Sequence, residues 1–128
     1  MLIDELKNIA RNNGIVGAGG AGFPAYAKMT EKADTVILNC VECEPLLKLH
    51  RQLLATHTEE IIQMLDEVRE SFGAKEAVIG IKSEYVTTIK AIEEVIGDFP
   101  NVRICALKAA YPMGDEVVLI YEATGRVI

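Results

Sequence analysis

The stretch that decides the fold is Ala77-Val78-Ile79-Gly80-Ile81, then an amphipathic segment over 85–96, then Val102-Arg103-Ile104-Cys105-Ala106-Leu107. The first run is apolar at consecutive positions, which predicts a strand buried on both faces. Val86, Ile89, Ile92 and Ile96 recur at helical spacing and end at Gly97, which predicts a helix with those residues inward. Strand, helix, strand in that order predicts a right-handed crossover between parallel strands.

The pattern extends in both directions. Upstream, Thr35-Val36-Ile37-Leu38 is another β-branched apolar run, read as a strand buried on both faces. A helix over Leu46–Ala55 follows. A second runs from Thr58, with Glu59 and Glu60 in its first turn and Thr58 as its expected N-cap, through Phe72 to Gly73. Downstream, Tyr111-Pro112-Met113-Gly114 reads as a turn and Asp115–Ala123 as a helix. At the start, Leu2, Ile3, Leu6, Ile9 and Ala10 share one face of a helix over 2–12 that stops at Asn13-Gly14. Pro24 opens a short helix over Ala25–Thr30. The expected class is α/β, a three-layer Rossmann-like domain with a mainly parallel sheet flanked by helices. Residues 1–128 are expected to form a single domain.

Composition removes several function classes. The chain is 50% hydrophobic and 25% charged with a net charge of −6, which disfavours nucleic acid or an acidic membrane surface as partner. Aromatic residues make up 5% and there is no Trp, so a base-stacking platform is not expected. No apolar run approaches the ~20 residues of a membrane span, so no direct span is expected. Three cysteines, Cys40, Cys43 and Cys105, without a leader sequence fit a reducing cytoplasm.

Five of the 10 glycines lie in Gly14-Ile15-Val16-Gly17-Ala18-Gly19-Gly20-Ala21-Gly22-Phe23-Pro24. Such a loop presents backbone N–H groups without side chains in the way and suits a phosphate, with Lys28 nearby. Gly17 to Gly22 spells G-x-G-x-x-G, but the dinucleotide fingerprint must follow a strand, and here a helix precedes it. The predicted strand over 35–38 runs into Asn39-Cys40-Val41-Glu42-Cys43-Glu44-Pro45. Ligands of open α/β sheets bind at such carboxyl ends. Glu42, Glu44, Asp115 and Glu116 are then four acids at one sheet edge, able to accept hydrogen bonds from ribityl or ribose hydroxyls.

Bland readings are kept for the rest. The C-x-x-C of Cys40 and Cys43 lacks the four ligands of a zinc or iron–sulfur site, and the carboxylates beside it raise a thiol's pKa. Cys40 and Cys105 read as small apolar packing. His50 and His57 read as surface, and Met29, Met64 and Met113 as core or gap fillers. There is no nucleophile–base constellation, so no catalytic residue and no metal ligand is assigned. Chemistry lent by a bound cofactor fits better.

Three ordered segments carry a resemblance: Gly17-Ala18-Gly19-Gly20-Ala21-Gly22-Phe23-Pro24 with Lys28, then Asn39 to Pro45, then Tyr111 to Glu116. Together they resemble the flavin-binding domain of the large NADH-oxidising subunit of respiratory complex I. The resemblance is closer to the Rnf complex C-subunit branch, with the cobalamin reductase of propanediol utilisation and the electron-transfer protein linked to proline reductase. It implies FMN at the sheet edge and NADH as hydride donor. Gly17, Gly19, Gly20, Gly22 and Lys28 would hold the phosphate region, Asn39 would contact the flavin, and Phe23 would stack near NADH. Glu42, Glu44, Asp115 and Glu116 would serve the hydroxyls and ring edges. Ala18 and Val41 depart from the Arg and Asp of complex I, in keeping with the Rnf-like branch, and Ala25 replaces a usual Thr. The family continues into another flavin-contacting segment, a β-grasp module and cysteine-rich iron–sulfur motifs. The chain is therefore expected to be the front of a longer electron-transfer protein, or one completed by an iron–sulfur partner. The alternative expectation is a truncated, non-enzymatic homologue that serves as a binding or assembly module.

Overall fold

The structure is a computed structural model that describes residues 2–15, 33–41, 49–108 and 116–125. The order of elements is α1 (Ile3–Asn12), β1 (Thr35–Cys40), α2 (Leu49–Thr56), α3 (Thr58–Ser71), β2 (Glu76–Lys82), α4 (Val86–Ile96), β3 (Val102–Leu107) and α5 (Glu116–Thr124). The strands form one parallel sheet in the order β1-β2-β3. Thr35 lies opposite Glu76 at one end of the β1–β2 ladder and Lys82 opposite Leu107 at the far end of β2–β3. Both the expected class and the parallel pairing are found.

Alternation along the strands separates two cores. One face carries Cys40 of β1, Ala77, Ile79 and Ile81 of β2, and Val102 of β3, packed with Leu54, Ile62, Leu65 and Ile92 from α2, α3 and α4. The opposite face carries Val41 and Leu107, packed with Leu119 of α5. Both crossovers therefore lie on one face, and α5 alone, among the described helices that pack on the sheet, lies on the other. Ala77, Val78, Ile79 and Ile81 have no exposed surface, so β2 is buried on both faces as its sequence predicts.

Other expectations need correcting. Thr35 to Leu38 of β1 are half-buried on both faces rather than buried, because among the described residues the strand pairs on one side only. It also runs two residues further, to Cys40. Leu6 and Ala10 are buried on α1, while Leu2 and Ile9 are exposed; the apolar stripe is narrower than its spacing suggests. Val86 and Met64 are likewise exposed rather than core. Thr58 does not cap α3. His57 occupies the N-cap position with no side-chain cap, and the Thr58 hydroxyl donates back to the carbonyl of Leu54 at 2.6 Å. With one residue separating α2 from α3, that carbonyl is the nearer partner, and the bond ties the two helices together. The short helix over 25–30 and the turn over 111–114 lie outside the described residues.

Candidate functional site

The carboxyl ends of the three strands form the edge at which ligands of such sheets bind. β1 reaches this edge with Asn39 and Cys40. Cys40 is 4% exposed and belongs to the helical core, so it packs as its bland reading expects. Alternation then turns Asn39 toward the other face, and Asn39 is exposed. Its Oδ1 accepts the backbone N–H of Val41 at 3.0 Å. This two-residue turn fixes the plane of the amide and satisfies the N–H of a buried residue as the chain leaves the strand.

Asn39 lies opposite Gly80, and Gly80 opposite Cys105. A Cβ built on Gly80 would come 2.6 Å from Cδ1 of Leu119. Glycine here lets α5 lie close on the middle of the sheet, on the face that carries Asn39.

The direction of α5 follows from three contacts. Its last turn sits at the amino ends of the strands, where Arg103 Nη2 donates to the carbonyl of Ala123 at 2.5 Å. The Cys105 thiol faces the carbonyl of Glu122 at 3.8 Å, and Leu119 lies over Gly80. The helix therefore runs antiparallel to the strands and starts, at Glu116, toward their carboxyl edge. Glu116 precedes Leu119 by three positions, about 4.5 Å of helix. The backbone N–H groups of this first turn, at the positive end of the helix dipole, belong to the same edge as Asn39.

Arg103 anchors the opposite end. Its Nε donates to Glu76 Oε2 at 3.0 Å and its Nη2 to Oε1 at 3.2 Å, a forked pair that raises the guanidinium's already high pKa. One side chain thus joins β2, β3 and α5. The sequence reading missed it. Opposite charges stand beside Ala77 and Val102, the first register pair of β2 and β3, a signal that becomes readable only once that register is known. Replacing Arg103 with Met should cost about 1 kcal/mol, given the half-exposed pair. The check is hydrogen exchange: amides of the last turn of α5 should lose protection while those of β2 keep it.

Lys82 was also passed over. It closes β2 at this edge, with its ammonium 5.9 Å from the centre of the Tyr85 ring. Cys105 is half-buried. Burial pushes its thiol above the ordinary value, Arg103 opposes this, and Glu122 adds to it. The thiolate fraction at neutral pH is therefore reduced, and alkylation of Cys105 by iodoacetamide should become fast only above the ordinary thiol range. A fast reaction at pH 7, followed by mass spectrometry, would contradict this assignment.

Of the residues predicted for the site, the structure describes Asn39 and the backbone of Glu116, and it brings the two to one edge. Gly17, Gly19, Gly20, Gly22, Phe23, Lys28, Glu42, Glu44 and Asp115 lie outside the described residues, as does Cys43. Among the described residues no group of three or more His, Cys, Asp or Glu could hold a metal ion. No helix among them is long and apolar enough to cross a membrane.

Comparison with known proteins adds the following. The family described as the Nuo51 FMN-binding domain matches residues 10–128. The chain is 39% identical over 121 residues to the cobalamin reductase PduS of Citrobacter freundii, covering 94% of this chain and 26% of that protein. It is 35% identical over 127 residues to the C subunit of the Na(+)-translocating ferredoxin:NAD(+) oxidoreductase complex of Acetobacterium woodii, covering 96% of this chain and 29% of that one. Its fold is shared with a chain of an NAD+-reducing [NiFe]-hydrogenase, with a TM-score of 0.72 at 22% identity over 98% of this chain and 25% of the other. The chain thus spans between a quarter and a third of the length of these proteins.

Proposed function

The chain belongs to the Nuo51 FMN-binding domain family, and from that premise we propose that it binds FMN at the carboxyl edge of its sheet and accepts reducing equivalents from NADH. The observation that carries the proposal is the meeting of Asn39 and the start of α5 at one edge. An anchored amide and a helix N-terminus suit a ligand that is both anionic and rich in hydrogen-bonding groups.

The roles that the family resemblance implies for this chain's residues would serve such a group as follows. The glycines Gly17, Gly19, Gly20 and Gly22, with Lys28, hold the phosphate region through backbone N–H groups and one point charge. Asn39 presents its amide to the ring system, and Phe23 offers a face for a nicotinamide or adenine ring. Glu42, Glu44, Asp115 and Glu116 accept hydrogen bonds from hydroxyls. Bound FMN supplies the hydride acceptor for NADH and the one-electron carrier toward an iron–sulfur domain or subunit. The protein's part is to bind, orient and keep the ring edge in place. Residues 1–128 act as a single FMN/NADH-binding domain at the front of a longer, cytoplasmic electron-transfer protein. The likeness to the ferredoxin:NAD(+) oxidoreductase component and to the cobalamin reductase supports this reading.

The experiment is anaerobic addition of NADH to the FMN-loaded full chain. Loss of the yellow absorbance with one NADH per flavin is the expected result. A protein that binds FMN but is not bleached keeps the cofactor site and loses the NADH half of the proposal. The alternative, a non-enzymatic binding or assembly module, corresponds to a full chain that takes up no FMN at all.

A further inference from the structure

We propose that Lys82 is the cation that meets the flavin ring at the carboxyl edge and favours its reduced form, which rests on the reading of that edge as an FMN site. Lys82 ends β2, the middle strand, so it stands between Asn39 of β1 and the end of β3. Its backbone is held on two sides. The Ser83 N–H donates to the carbonyl of Leu107 at 2.7 Å, and the Tyr85 N–H donates to the carbonyl of Lys82 at 3.1 Å. The register decides which face the residue takes. Lys82 lies opposite Leu107, and Leu107 packs with Leu119 of α5. Lys82 is also two positions from Gly80, so it belongs to the face that carries Asn39 and α5. Leu119 lies over Gly80. Toward the carboxyl edge, Lys82 is about 6.6 Å beyond Gly80 along the strand, and Glu116 is about 4.5 Å beyond Leu119 along the helix. The root of the Lys82 side chain and the first turn of α5 are therefore nearly level.

From there the half-buried side chain carries its ammonium to 5.9 Å from the centre of the Tyr85 ring. That ring is 8% exposed, so it offers a fixed face that keeps the cation at the end of the sheet. Among the described residues no ion pair involves Lys82. Its charge is thus available to a ligand. A hydride from NADH brings two electrons and one proton, and a flavin that accepts it at neutral pH is an anion, with the charge along one edge of the ring. The acids that the family resemblance assigns to this edge, Glu42, Glu44, Asp115 and Glu116, oppose that charge, and Lys28 is assigned to the phosphate region. Lys82 supplies the opposite charge beside Asn39, the residue assigned to the ring. Lys108 also stands near this edge, but it is exposed and, one position past Leu107, falls on the other face.

The test is a spectroelectrochemical titration of the FMN-loaded full chain at neutral pH, with Lys82→Met, Lys82→Arg and Lys108→Met beside it. Removing the charge at Lys82 should weaken binding of reduced FMN about tenfold more than binding of oxidised FMN. The titration reads this as a midpoint potential lowered by about 30 mV for a two-electron couple. Lys82→Arg and Lys108→Met should keep the parent potential. If Lys82→Met binds FMN at an unchanged potential, this inference alone is overturned, because a structural role or a contact with the phosphate gives that result. An equal fall in Lys108→Met overturns it as well, since the effect is then one of general surface charge. A parent chain that takes up no FMN overturns the FMN reading and this inference with it.

Discussion

Replacing Gly80 with Val should destabilise the protein by about 1–3 kcal/mol and weaken FMN binding with it. The sign is not obvious from the sequence. Gly80 is the one residue of β2 without a side chain, and a Val in a central strand is ordinarily worth up to ~1 kcal/mol over glycine. The structure reverses that expectation. A Cβ at this position meets Cδ1 of Leu119 at 2.6 Å, and Val adds two methyls beyond it. Leu119 is itself buried, with Val41 and Leu107 beside it, so it has little room to withdraw. The outcome is a lifted α5, and the start of that helix is one wall of the proposed site. Urea titration and FMN titration measure the two effects. Adding Leu119→Ala in the same chain should return part of both losses, since the two side chains then share one space. A Gly80→Val protein more stable than the parent would show that α5 does not rest there.

Replacing Asn39 with Asp should lower FMN affinity by about 10- to 100-fold, the worth of one or two hydrogen bonds to a buried ligand plus an added negative charge beside an anion. The substitution is chosen for what it keeps. An Asp Oδ1 still accepts the N–H of Val41 as Asn39 does at 3.0 Å, so the turn that ends β1 survives. The amide donors are lost and a charge appears on an exposed position. Urea titration should show the fold unchanged within about 0.5 kcal/mol, while fluorescence quenching of FMN shows the loss. Unaltered affinity would remove Asn39 from the site and leave it as a turn residue.

Much of the fold was legible because β2 and β3 obey simple rules. An uninterrupted apolar run reads as a buried strand, and β3 has the bounds its sequence predicts, Val102–Leu107. The end of β1 was harder, because Asn39 is polar and its place in the ladder comes from pairing with Gly80, not from its own propensity. Thr58 misled because its hydroxyl had two partners of similar local appeal, and only the short link between α2 and α3 decides for Leu54. Chain order alone predicts that Asn39 and the start of α5 share one edge, and the structure brings the two backbones there. The role of Gly80, the clamp by Arg103 and the position of Lys82 were not legible. Each depends on which residues stand opposite one another across the sheet, and no local pattern states that register.

Whether this edge is a flavin site is measured most directly by an FMN titration of the full chain, followed by quenching of flavin fluorescence, with the Asn39→Asp protein alongside. Saturable binding of one FMN per chain, weakened at least tenfold by the substitution, is the predicted result. A full chain that folds, as its urea transition reports, and yet leaves FMN fluorescence unquenched would contradict it.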